Sequence, residues 1–254
     1  MADNYLSTDP YKGVRDFYPE DMAVQRYIFD VWAATAESFG FERYDASVLE
    51  PAILYKSKGA ENEEMVNEQT YTFIDRGERE VTLRPEMTPT VARMVAGRRR
   101  ELSLPVRWYS IPNLFRYERP QRGRLREHWQ LNCDIFGADD YTADVEIIAL
   151  AYQIIMNFGA EASLFAIHIN DRAEMREKYR EYGIENIEKQ DAITRLNDRF
   201  HKISADEYKT ALKEIVGDDV IVESIYTLVS GGDTTDTNKV VDGLRELGIT
   251  NVKI

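Results

Sequence analysis

From Pro19 onward apolar residues recur at helical spacing, with Met22, Ile28, Val31, Trp32 and Phe39 on one broad stripe. Gly40 follows as a stop, so the pattern predicts a helix over Pro19 to Phe39 and then a strand ending near Pro51. The period then falls to two. Thr70 to Ile74 and Val81 to Leu83 are β-rich runs on either side of Asp75 to Glu80, whose Arg76-Gly77 fits a hairpin turn. Thr88 followed by Pro89 reads as an N-cap and a first-turn proline, opening a helix toward Arg98 to Arg100. Three further strands are expected at Val106 to Ile111, Asn113 to Glu118 and His128 to Phe136, the last two joined by the loop Arg119 to Glu127. Asp144 to Phe158 is a strongly apolar helix and Ser163 to Ile169 a strand. Strands and helices mix without regular βαβ alternation. The expected class is therefore α+β, a largely antiparallel sheet flanked by helices.

The pattern changes near Asn170. Downstream, Asp171 to Tyr182, Glu188 to Arg199, Ala205 to Val216, Val220 to Val229 and Thr237 to Leu247 all read as helices, punctuated by Gly183, His201, Gly217 and Ser230-Gly231-Gly232. The expected organisation is a first domain over residues 1–169, a helical second domain over 170–250, and a returning strand beginning at 251–254. Asp171 to Ile249 carries 12 basic and 18 acidic residues, so it is not an obvious RNA grip by itself.

Composition narrows the class further. The 254 residues, 43% apolar and 30% charged, are enough to bury a core without disulfide or metal staples. No apolar run approaches the roughly 20 residues of a membrane span. Met1 to Asp9 lacks a secretory pattern, and the expected location is the cytoplasm, with no membrane partner. Cys133 is the one cysteine, which excludes an internal disulfide, and no Cys/His spacing suggests zinc. The net charge of −13 would repel a polyanion at long range, yet it is unevenly spread. Arg93 to Arg126 holds ten arginines, no lysine and two acids, a local excess of +8. Arginine is the planar, bidentate donor suited to phosphate, so this stretch is either a basic solvated face or a phosphate site.

Within it, Phe115 to Gly137 is the most informative run. Alternation puts Arg116 and Glu118 on one face of a strand, and Gln130, Asn132 and Asp134 on one face of the returning strand. Alternation alone also fits the solvent side of an ordinary sheet. The loop adds the discriminating feature: Arg122, Arg124 and Arg126 around Gly123 form an arginine-dense flap suited to enclosing a nucleoside triphosphate. Other single residues read more simply. His168 is expected in the core of its strand, Cys133 as a buried inert thiol between Leu131 and Ile135, Arg98 to Arg100 as a solvated helix end, and His128 and His201 receive no role.

The run Phe115-Arg116-Tyr117-Glu118-Arg119-Pro120-Gln121-Arg122-Gly123-Arg124 resembles motif 2 of class II aminoacyl-tRNA synthetases, in the version typical of histidyl-tRNA synthetase. Thr82-Leu83-Arg84-Pro85-Glu86-Met87-Thr88-Pro89 resembles that family's first histidine-binding segment, the helix leading to Pro51 its motif 1, and Lys12 to Pro19 its usual opening. The resemblance implies a class II catalytic core over 1–169 with a helical insertion. It implies that Arg116 acts catalytically at the α-phosphate of ATP, Glu118 at the adenine and Arg124 at the terminal phosphates with Mg²⁺. Glu86, Thr88 and Gln130 would take the ammonium of histidine, and Asp134 an imidazole N–H. It further implies tRNA(His) as partner and a homodimer through the motif 1 region. The chain departs from the pattern at Asp134, where Glu is common, at Asn132, where Gly is usual, and at Met87. No Arg-Gly-Leu-Asp-Tyr-Tyr type segment and no motif 3 occur before Ile254, so low activity of this chain alone is expected. The alternative is a non-catalytic paralogue of the kind that regulates ATP phosphoribosyltransferase.

Overall fold

The computed structural model describes residues 7–56, 69–169, 172–231 and 239–253. The chain divides into two compact units, Met1–Ala160 and Glu161–Ile254.

The first unit opens with helix α1, Pro19–Ser38, with Pro19 in the first turn and the Asp21 carboxylate accepting from the Tyr18 amide at 3.3 Å. Only its C-terminal half is well covered: Thr35 and Ala36 are buried, whereas Met22, expected on the apolar stripe, is exposed. Ala36 packs with Phe41, Tyr109 and Leu150 as the core of this unit, joined by Leu131, Cys133 and Ile135. Short strands β1 (Glu42–Arg43) and β2 (Leu49–Pro51) follow, then helix α2 (Ile53–Lys56). Strands β3 (Tyr71–Ile74) and β4 (Glu80–Leu83) form the expected hairpin, and β2 adds to it in antiparallel fashion. Its turn is not held by Gly77: the residue with positive φ is Glu78, and Asp75 Oδ1 accepts from the Gly77 and Arg79 amides. Helix α3 spans Thr88–Arg98 with Met87 as the flanking residue, so Thr88 is the first helical residue and caps nothing.

Strands β5 (Val106–Ser110), β6 (Asn113–Phe115), β7 (Glu127–Trp129) and β8 (Asn132–Phe136) make one long antiparallel ribbon, bent in the middle. β5 pairs with β8 through Ser110↔Asn132, and β6 pairs with β7 through Asn113↔Trp129, so a single register runs through the bend. The bend lies at Pro112, which has no N–H to give to the ladder; its carbonyl still accepts from the Gln130 amide at 3.2 Å. This corrects the expectation of an unbroken strand from His128 to Phe136. β1 lies parallel to β5 on the other edge, with Glu42↔Trp108. Helix α4, Tyr141–Asn157, capped by Asp140, completes the unit. The class is α+β as expected, although among the described residues the strands form several small sheets, two pairings of them parallel.

In the second unit a 3₁₀ turn at Ala162–Leu164 precedes β9 (Ile167–His168), so only part of the expected strand forms, and His168 is exposed rather than in the core. Helices α5 (Arg172–Glu181), α6 (Ile187–Asn197), α7 (Ala205–Val216), α8 (Asp219–Val229) and α9 (Lys239–Glu246) follow. α5 to α8 close around Tyr179, Ile193, Tyr208, Leu212 and Ile225. Strand β10 (Val252–Lys253) pairs in parallel with β9. The expected helix start at Thr237, and the breaks at Asn170 and Gly232, lie outside the described residues.

Candidate active site on the bent ribbon

The ribbon turns one side chain in two toward the α1–α4 core and the other away from it. Tyr109, Cys133 and Ile135 belong to the core, and burial pushes the Cys133 thiol up to about 12, an inert group. Trp108 opposite Asp134 and Ser110 opposite Asn132 therefore share the other face. Tyr44, just beyond β1, joins them: its amide donates to the Tyr109 carbonyl at 2.9 Å and its ring lies 5.7 Å from that of Trp108. Burial raises the Asp134 carboxyl above the usual range, with no hydrogen bond to offset it.

At the far end of the ribbon the loop between β6 and β7 is pinned rather than free. Arg116 continues the ladder, its amide donating to the Arg126 carbonyl at 2.9 Å, and Gln121 and Arg124 pair across a tight turn at Gly123, which takes φ 78. Arg116 Nε donates to the Pro85 carbonyl at 3.0 Å. The Phe115 amide bonds the Arg84 carbonyl at 3.0 Å. The Arg84-Pro85-Glu86 segment thus runs alongside Phe115-Arg116, bringing the two sequence motifs together. Glu118 and Arg124 form a two-pronged ion pair, Nη2 to Oε1 at 2.8 Å and Nε to Oε2. Arg124 holds the Glu118 carboxyl below its ordinary range and is itself held more firmly in its charged form. His128 is half-buried here; burial first, then the charge of Arg116, pulls its imidazole down. Sequence reasoning gave His128 no role, and only its alternation with Arg126 and Gln130 hinted at the position.

Several arginines of the basic stretch are structural. Arg126, expected on the flap, is 7% exposed. It donates to the carbonyls of Glu118 and Lys12 and lies 4.0 Å over the Tyr117 ring. Its amide bonds the Gly13 carbonyl at 2.7 Å, and a Cβ on Gly13 would stand 2.7 Å from its Cδ. The opening run Lys12-Gly13 is thereby a strap laid on the base of the loop. Arg107 grips Glu146 through two bonds, and Arg93 pairs with the buried Glu50. Arg98 to Arg100 are exposed, as expected. Buried Arg84 spends its donors on Asp45, Ala46 and Asn113, fixing the chain on either side of the ribbon.

Of the remaining expected site residues, Glu86 and Gln130 are half-buried and Thr88 is exposed at the start of α3. Gln130 sits at the bend. The described residues contain no group of three or more His, Cys, Asp or Glu able to hold a metal ion. No helix among the described residues is long and apolar enough to cross a membrane.

The Histidyl-tRNA synthetase family profile matches residues 13–216. Over 253 residues, all of this chain and 57% of the relative, it is 42% identical to a protein of Leptospira biflexa named histidine–tRNA ligase. A protein of the same name from Thermoplasma volcanium is 43% identical over 89% of this chain and 51% of its own length. The chain spans about half the length of these relatives. Among solved structures, histidyl-tRNA synthetase from Nostoc sp. PCC 7120 superimposes with a TM-score of 0.77 at 20% identity, covering 97% of this chain and 53% of that one. An ATP phosphoribosyltransferase regulatory subunit/histidyl-tRNA synthetase from Bacillus halodurans gives 0.76 at 20% identity, covering 100% and 68%. The long match to the family profile, the relatives' identity and the motif 2 run folded against Arg84-Pro85-Glu86 agree, and the chain belongs to the histidyl-tRNA synthetase family.

Proposed function

We propose that this chain carries the histidine- and ATP-binding face of a histidine–tRNA ligase, an enzyme of the cytoplasm that joins histidine to tRNA(His). The observation that carries the reading is the bond from Arg116 Nε to the Pro85 carbonyl, which sets the motif 2 arginine beside Glu86. In the first step the histidine carboxylate attacks the α-phosphorus of ATP and pyrophosphate leaves, giving histidyl-adenylate. In the second, a ribose hydroxyl at the 3′ end of the tRNA attacks the activated carbonyl and AMP leaves. Both reacting groups of the first step are anions, so the protein's work is positioning and charge neutralisation.

Arg116 neutralises charge developing at the α-phosphate. Glu118 reads the adenine and Arg124 the terminal phosphates. These two hold each other in the structure, so nucleotide binding exchanges one ion pair for two sets of contacts. Mg²⁺, carried by the triphosphate, adds charge neutralisation there. Glu86, Thr88 and Gln130 take the ammonium, and Asp134 takes an imidazole N–H; an apolar rival would leave that carboxylate unpaired. Residues 170–250 act as a helical insertion on the acceptor stem, with 251–254 the start of a returning strand. The exposed Met22, Val24 and Tyr27 of α1 support pairing with a second copy of the chain.

The test is histidine-dependent pyrophosphate exchange by the complete natural protein. Exchange with histidine and no other amino acid is the expected outcome; none at all would overturn the reading. The likeness to the Bacillus halodurans protein favours a second reading, a regulatory subunit for ATP phosphoribosyltransferase. Under it, exchange is absent and the protein instead raises that enzyme's activity.

A further inference from the structure

Glu86 stands at the end of a segment that is held firmly on its upstream side. The Arg84 amide donates to the Val48 carbonyl at 2.9 Å, the Arg84 carbonyl accepts from the Phe115 amide, and the Pro85 carbonyl accepts from Arg116. Beyond Glu86 the chain enters α3, and there the hold comes from α2. Tyr55 Oη lies 3.3 Å from the Glu86 carbonyl and 3.1 Å from Thr90 Oγ1. A carbonyl oxygen only accepts, so the phenol donates to Glu86, and its oxygen is left to accept the proton of the Thr90 hydroxyl. The direction of the chain of bonds is thereby fixed, from Thr90 to Tyr55 to Glu86. Tyr55 and Thr90 are both fully buried, away from competing water. Burial pushes the phenol up to about 12, with the carboxylates of Glu50 and Glu86 adding to the rise, so it keeps its proton at neutral pH.

The support beneath the phenol is equally specific. α2 is a single helical turn, too short to persist alone. The Ala52 amide donates to the Glu80 carbonyl at 3.1 Å, and Lys56 Nζ donates to both carboxylate oxygens of Glu80 at 2.7 and 2.8 Å, which ties both ends of the turn to β4. Arg93 of α3 pairs with the buried Glu50 of β2 at 2.6 Å, a second tie between the same elements. Filling the space needs only a phenylalanine ring; the hydroxyl is what reaches Glu86. We infer that Tyr55 is a positioning residue for the ammonium of histidine: its hydroxyl fixes the Glu86 main chain and so the direction in which the Glu86 carboxylate is presented. The inference rests on the proposed role of Glu86 and adds the group that aims it.

The experiment is calorimetric titration of the complete natural protein and of its Tyr55→Phe, Thr90→Val, Glu86→Gln and doubly substituted Tyr55→Phe, Glu86→Gln forms. The ligands are L-histidine, histamine, which keeps the ammonium, and imidazolepropionate, which lacks it. Tyr55→Phe should weaken histidine and histamine about three- to tenfold and leave imidazolepropionate and ATP unchanged. Thr90→Val, which removes the group orienting the phenol, should give the same pattern at smaller size. In the Glu86→Gln background Tyr55→Phe should add nothing, because both substitutions act on one contact. Equal weakening of all three ligands, an undiminished loss in the Glu86→Gln background, or no loss at all would mean that the phenol only packs, and the inference fails. Glu86 itself keeps its role in that case if Glu86→Gln weakens histidine and spares imidazolepropionate. If Glu86→Gln leaves histidine unchanged, the reading of Glu86 fails and the inference with it.

Discussion

The helical unit and the bent ribbon both bury polar side chains, but they leave different atoms unpaired. Among the described residues of the second unit the unpaired atoms are Gln190 Oε1 and Asn251 Oδ1, spare acceptors on amides whose nitrogens already donate, to Ile184 in one case and to Ala162 and Phe165 in the other. Its buried Tyr208 and Tyr179 are both bonded to Asn197. On the ribbon, by contrast, the amide nitrogen of Asn132 is left over, next to a carboxylate that burial disfavours. Among the described residues, the helical unit leaves over only spare amide acceptors, whereas the ribbon face also leaves a donor, Asn132 Nδ2. Such local inconsistency is where function is expected, because stability and pocket chemistry pull the same residues in different directions.

The contrast can be broken most severely in the helical unit. Leu212 is fully buried between α7 and α8, and Leu212→Ala should cost about 2–5 kcal/mol in denaturant unfolding. A loss under 1 kcal/mol would mean that this core is not closed. On the ribbon, Arg116→Ala should lower pyrophosphate exchange by the complete protein on the order of a hundredfold or more, the usual effect of removing a donor at developing charge. Near-parental exchange would remove Arg116 from the reaction. Ser204→Ala deletes the cap and capping box of α7 and should cost about 1 kcal/mol, read as a lowered melting temperature with ligand binding untouched.

The smallest effect sharpens the comparison through pH. The folded-state carboxyl of Asp134 is raised by burial, so its contribution to stability is fully present below the unfolded carboxyl's value of roughly 3.9 and is lost as pH rises through the folded value. Asp134→Asn, neutral throughout, should flatten that part of the profile and leave the unliganded chain more stable at pH 7. Melting temperatures from pH 4 to 8 decide it. An unchanged profile would place the Asp134 carboxylate in water.

The helical unit is the more legible in the sequence, because helix starts and stops carry local signals. α7 forms over the residues expected, Ala205 to Val216, where Gly217, at φ 79, ends it; the structure adds the capping box of Ser204 and Glu207 at its start. On the ribbon the β-rich runs were visible, but their interruption was not, since an alternating pattern carries no mark of the missing N–H of Pro112 on the opposite strand. Charge density likewise overstated the flap: only the fold shows that Arg126 is spent on Lys12 and Glu118. Arg116, Glu118 and Asp134 were named from a motif, whereas Tyr44 and Ser110 belong to no motif and are joined only by strand pairing across 66 positions of chain. Of all the candidate residues, Thr88 moved most in meaning, from helix cap to exposed first residue of α3.

The central claim is that the ribbon presents one ligand at each end, histidine at Asp134 and ATP at Arg116 and Arg124. Thermal shift of Asp134→Ala and Arg116→Ala, each with histidine and with ATP, tests it most directly. The account predicts crossed losses: Asp134→Ala no longer stabilised by histidine but still by ATP, and Arg116→Ala the reverse. Equal loss of both ligands in both variants, or of neither in either, would contradict it.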